Sequence, residues 1–144
     1  MSKPPNPYLV ATSLLFVIPT TTMAYYGQWW LYSTTLFLTL ASSLYHATKY
    51  QPLLIVDKTA CNLLTVVHMY YAHCHGIYAV PMTGIAYCGL VFTYGNAAKR
   101  FVFDPCRTTA LRWHMSMHLV VLFAVLYGSL VTGKIEDTVG PVLQ

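Results

Sequence analysis

Residues 109–132 read TALRWHMSMHLVVLFAVLYGSLVT, with His114 and His118 in the first half and Arg112 as the only charge. The hydrocarbon core of a bilayer is about 30 Å thick and is crossed by roughly 20 apolar residues in a helix. This stretch is long enough and apolar enough to do so. Four more apolar runs precede it, over about residues 8–26, 28–48, 54–72 and 77–94. The predicted fold is an all-α membrane protein, a bundle of about five transmembrane helices forming a single transmembrane domain over residues 1–144. Hydrocarbon cannot satisfy free backbone groups, so each crossing must be helical. A β-barrel needs shorter segments of alternating polarity, which these runs are not.

The rest of the composition agrees. Of 144 residues, 56% are hydrophobic and 8% charged, where a soluble domain carries about 25% charge. The net charge of +4 comes from dispersed basic residues flanking apolar runs, not from a basic surface interleaved with aromatics, so no nucleic-acid partner is expected. The four cysteines, Cys61, Cys74, Cys88 and Cys106, form no CxxC pair; Cys61 and Cys88 read as small buried hydrophobes. The first apolar run is too long for a signal-peptide core and is expected to remain as helix 1. Trp29 and Trp30 open helix 2 as an interfacial anchor.

Charge sets the expected orientation. With five crossings, the N-terminus and the 2–3 and 4–5 loops share one side. That side holds Lys3, Lys49, Lys58, Lys99, Arg100 and Arg107, with Arg112 just inside helix 5; the other holds Lys134 beside Glu136 and Asp137. The positive-inside rule then puts the N-terminus in the cytoplasm.

Ionisable residues inside membrane helices are costly and are functional candidates. Ser42 and His46 lie four apart near the end of helix 2, on one face. Asp57 opens helix 3, and His114 and His118, again four apart, lie in the first half of helix 5. Helix 2 ends on the cytoplasmic side, and helices 3 and 5 begin there. All five residues therefore fall at a common depth, provided an even number of crossings separates Asp57 from His114; the hydropathy supplies two. Three neutral imidazoles suit Zn²⁺ with one open position for water, which zinc brings to a pKa of roughly 7. Asp57 would take its proton, and Ser42 would donate to the water or to a developing oxyanion. Taken singly, each of these residues reads more plainly as a helix–helix hydrogen-bonding group. Their coincidence in depth favours a site.

The pattern SxxxH at Ser42 and His46, then Asp57, then HxxxH at His114 and His118 on the last helix, resembles the CREST superfamily of membrane hydrolases. That group includes alkaline ceramidases and the adiponectin-receptor family. The text SSLYHAT at residues 42–48, followed by LIVD at residues 54–57, is especially similar. The short interval from His46 to Asp57 resembles the ceramidases, and the predicted orientation resembles the receptors. The resemblance implies that His46, His114 and His118 bind zinc, that Asp57 holds the water and that Ser42 stands beside the metal. It implies hydrolysis of an amide or ester bond in a lipid substrate, ceramide being the leading example. Family members have seven core helices and this chain reads as five. Loss of a pair between the Asp helix and the HxxxH helix preserves parity but thins the cavity wall, which a homo-oligomer would complete.

His73 and His75, with Cys74, read as a tight connection between helices 3 and 4, grouped with His68 but on the face opposite the first site. Gly84, Gly89 and Gly128 read as close-packing positions. Lys99, Arg100 and Arg107 read as topology determinants that meet membrane lipids, and Arg112 as a snorkelling residue. Two competing functions are a receptor-like or binding protein that keeps zinc as a structural staple, and a haem protein. Ser42 and Asp57 have no role in haem ligation.

Overall fold

The computed structural model describes residues 5–139, so Lys3 and the last five residues of the tail lie outside the description. The chain forms α1 (Pro7–Leu14), α2 (Val17–Tyr25), α3 (Trp29–Thr48), α4 (Gln51–His75), α5 (Ala79–Gly89), a π-helical stretch (Leu90–Tyr94), α6 (Gly95–Ala98), a 3₁₀ turn (Phe101–Phe103) and α7 (Arg107–Val139). Among the described residues there is no strand. Among the described residues three helices are long and apolar enough to cross a membrane: Pro7–Tyr25, Gln51–His75 and Arg107–Thr138.

Helices α1 and α2 form one rod broken by Pro19. A proline has no N–H for the carbonyl four residues back. The orphaned Leu15 carbonyl is taken instead by the Ile18 N–H at 3.0 Å, and Phe16 N–H bonds the Ser13 carbonyl at 3.2 Å, tightening the turn. Asn6 caps the rod, its side chain accepting from the N–H groups of Tyr8 and Leu9. At the far end of α4, Gly76 adopts φ 68°, and the Ile77 N–H reaches the Ala72 carbonyl at 3.0 Å. This is a left-handed helix stop of the kind glycine favours.

The elements pass beyond the predicted limits at several ends. His73, Cys74 and His75 belong to the last turn of α4, not to a connection, because the helix runs on until Gly76 can reverse it. Helix α7 continues past Thr132 to Val139, since residues 133–139 hold no proline to stop it. The predicted loop over residues 95–108 contains α6 and the 3₁₀ turn.

Helix α3 has 20 residues, enough to cross a membrane, and differs from those three helices in apolarity rather than length. Its Ser and Thr residues cause this, and their polarity is largely spent internally. Thr35 donates to the Leu31 carbonyl (2.7 Å) and Thr39 to that of Thr35 (2.7 Å); Ser33 and Thr48 donate to carbonyls four residues back in the same way. Such back-bonding hides hydroxyls from an apolar surrounding.

Helix α3 packs against α1, α2 and α4, and α7 against α1, α2, α4 and α5. The core holds Phe16 and Met23 from the first rod, Leu31 and Leu38 from α3, Ala60 and Leu64 from α4, and Leu122 and Val125 from α7. Cys61, expected to be buried, faces outward. Gly84 and Gly128 sit in close contacts, with Ala124 and His68 respectively, but Gly89 has open space around it.

Candidate metal centre

Three imidazoles converge where the end of α3 meets the start of α7. Their ring centres are 5.1 Å apart for His46 and His114, 5.3 Å for His46 and His118, and 5.0 Å for His114 and His118. One ring nitrogen from each lies within 4.8 Å of the other two, so the three could hold a metal ion. The HxxxH spacing places His114 and His118 one above the other on one face of α7. His46 arrives from α3 because two segments, α4 and residues 79–98, return the chain to the same level.

His46 has no exposed surface, and its Nε2 has no hydrogen-bond partner. A buried polar atom without a partner is costly. An ion among the three rings would satisfy it, so the donor set fits a metal. Two neighbours bear on the ring protons. Thr12 donates its hydroxyl to the Leu9 carbonyl (3.1 Å), and its Oγ1 lies 2.9 Å from His118 Nδ1. With that hydroxyl proton engaged, Nδ1–H must be the donor, which leaves His118 Nε2 as a free lone pair. Such an outer contact fixes the tautomer and the ring angle of a metal-binding histidine. Lys49 Nζ lies 2.9 Å from His46 Nδ1. An ammonium only donates, so His46 Nδ1 accepts from it and Nε2 carries the ring proton; for Nε2 to bind an ion as a neutral imidazole, that proton must be released while Lys49 passes one of its own to Nδ1.

Ser42 is buried one turn before His46, with its Oγ 3.1 Å from Ser13 Oγ. Ser13 commits its hydroxyl proton to the Leu9 carbonyl (2.8 Å), so within this pair Ser42 donates and Ser13 accepts. The Asp57 carboxylate lies near Ser42. One oxygen of Asp57, Oδ1, is buried without a partner. Asp57 is not in the group of atoms within 4.8 Å of one another.

Thr12, Ser13 and Lys49 escape a reading based on histidines and acids. Thr12 and Ser13 were detectable: they are two adjacent hydroxyls in an apolar run, at the depth the crossing count gives the triad. Tyr87 and Ser116 are a further pair. Ser116 donates to the Trp113 carbonyl (2.7 Å) and takes the Tyr87 hydroxyl at 2.6 Å, fastening α5 to α7 between the two histidines. At the opposite end, Gln28 donates to Thr132 (2.7 Å), and His75 Nε2 meets Glu136 at 3.3 Å. His68, His73 and His75 take no part in the triad.

No family model matches the chain, and no curated protein or solved structure matches it.

Proposed function

We propose that the chain is a zinc-dependent membrane hydrolase acting on an amide or ester bond of a lipid, ceramide-like in its linkage, and a shortened relative of the CREST hydrolases. The convergence of His46, His114 and His118 around a buried, unpartnered Nε2 carries this reading. All three ligands are imidazoles, a set that suits zinc with one position left open. Nitrogens within 4.8 Å of one another fit a circle of about 2.8 Å radius, so each ring needs to close by under about 1 Å to reach the roughly 2.0–2.1 Å of a zinc–imidazole bond.

A zinc ion held there supplies a Lewis acid and hydroxide at neutral pH. The protein's own residues do the rest. Thr12 and Lys49 hold the rings of His118 and His46. Asp57 is the base: its free Oδ1 accepts a proton. Ser42 turns its single hydroxyl proton from Ser13 to the carbonyl oxygen as charge develops there. Five crossings support the same assignment. Helix α3 runs along both halves of the first rod and along α4, which supports reading it as a crossing. The cytoplasmic end is the one that carries Lys49, Lys58, Lys99, Arg100 and Arg107.

Purified protein is expected to contain about one zinc per chain, and His114→Ala to abolish that content while helicity persists. In a screen of lipid amides and esters, Asp57→Asn is expected to lower turnover by roughly a hundredfold or more with zinc retained. Metal-free protein of intact fold sinks the proposal.

A second reading, a receptor-like or binding protein with a structural zinc, draws on the position of Asp57 outside the nitrogen cluster. It is preferred if zinc is present, no lipid in the screen is cleaved and Asp57→Asn leaves cellular activity unchanged.

A further inference from the structure

At the end of the bundle opposite the metal centre, the last turn of α4 meets the last turns of α7 through one side-chain pair. His75 Nε2 lies 3.3 Å from Glu136 Oε1; the His75 side chain has no exposed surface, and that of Glu136 is 13% exposed. The ring is fixed from within α4. It stacks on Tyr71, with centres 5.8 Å apart and planes 10° from parallel, and its Nδ1 lies 2.8 Å from the Tyr71 carbonyl.

These contacts decide where the ring proton sits. A carbonyl only accepts, so Nδ1 carries a proton and donates it. A neutral imidazole has a single N–H, so neutral His75 turns the lone pair of Nε2 toward an ionised Glu136. Nε2 is buried and makes no hydrogen bond that would relieve this repulsion. A second proton, giving the imidazolium, converts the contact to an ion pair. The contact therefore requires that proton, which belongs to the pair rather than to either residue. Other groups at this end are few. Of the elements packed against α4, α3 and α5 carry no Asp, Glu, Lys or Arg. Helix α7 adds Lys134 and Asp137, both exposed. Helix α4 adds the half-buried Cys74 and the exposed His73, whose Nδ1 lies 2.7 Å from the Tyr78 hydroxyl. Past Gly133 no described residue of α7 is fully buried, so the pair is a large part of what docks this segment.

We propose that His75 and Glu136 form a proton-dependent latch, which holds the last turns of α7 against the end of α4 when protonated and releases them when the proton leaves. The latch is independent of the metal centre, since neither residue contributes to the triad.

The test is amide hydrogen exchange of residues 134–138 in the full chain, in phosphatidylcholine nanodiscs, corrected for the intrinsic rate. It is read at about pH 5.5 and about pH 8.5, on either side of the ordinary histidine value of about 6.5. Protection is expected to be roughly fivefold higher at the lower pH, the upper end of what a partly exposed ion pair supplies. Glu136→Gln should keep its protection at both pH values, because the amide donates to a neutral ring or accepts from a charged one. His75→Phe keeps a ring against Tyr71, removes the proton and should abolish the pH dependence. His73→Asn should leave the unaltered fall in place. Protection in the unaltered chain that is flat or rises with pH overturns the latch. So does a fall that persists in Glu136→Gln or in His75→Phe, or one that vanishes in His73→Asn. Either of the first two variants decides the matter if the other does not fold.

Discussion

Thr12 shows how much of the site depends on a single hydroxyl. Its proton is committed to the Leu9 carbonyl, so its oxygen accepts from His118 Nδ1 and leaves Nε2 for a metal. Removing an outer partner of this kind commonly costs 10- to 100-fold in metal affinity. Thr12→Val, which keeps shape and deletes the hydroxyl, is expected to weaken zinc binding by about 10–100-fold in a competition titration with a chromophoric chelator, at unchanged helicity. Thr12→Ser should restore most of the loss. The triad itself was legible in the sequence because imidazoles in apolar helices are rare and the four-residue spacing fixes a face. Thr12 was less so, since hydroxyls abound in this chain and most, like Thr35 and Thr39, bond their own backbone. Lys49 could not be anticipated as a neighbour of His46. It lies outside the apolar run, and only the left-handed turn at φ 55° folds it back over that helix end.

At the scale of elements, length and apolarity told where helices lie but not where they stop. The predicted ends fell at loss of hydropathy, whereas backbone hydrogen bonding carries α4 on to the left-handed Gly76 and α7 well past Thr132. The 33 residues of α7 span about 50 Å at 1.5 Å each, more than the roughly 30 Å hydrocarbon core, so α7 extends beyond it. Its packing at that far end rests on Gly133, where an added Cβ would run into the ring of Tyr26 at the end of α2. Tyr26 is an aromatic ring backed by its own helix and has little room to yield. Gly133→Ala is expected to destabilise the fold by about 1–3 kcal/mol, the usual cost of overpacking, seen as a lower thermal midpoint in detergent. Zinc content should be unchanged, because the triad lies near the other end of α7.

For the whole molecule the choice is between three crossings and five, since α3 and residues 79–98 are not among the three helices long and apolar enough to cross. The two arrangements differ in a countable way. If α3 lay on the surface, Tyr25 and Tyr50, at its two ends, would be on one side of the membrane. If it crosses, they are on opposite sides. Its packing along both α1 and α2 as well as α4, together with hydroxyls that bond internally, favours crossing. In a chain whose other cysteines are serine, a membrane-impermeant maleimide is expected to reach native Cys106 and Tyr50→Cys from the side carrying Lys99 and Arg100, and Tyr25→Cys, Tyr78→Cys and Lys134→Cys only from the other. Cys106 is a good reporter. The Thr109 backbone N–H and hydroxyl and the Thr108 N–H hold its thiol below the usual range. A lower pKa means more thiolate at a given pH, so its labelling should persist to lower pH than that of a free cysteine, and Thr109→Val should move the profile back up. Labelling of Tyr25→Cys and Tyr50→Cys from the same side would rule out five crossings. It would also remove the equal-depth argument for Ser42 and His46, leaving the triad to be explained by side-chain contact alone.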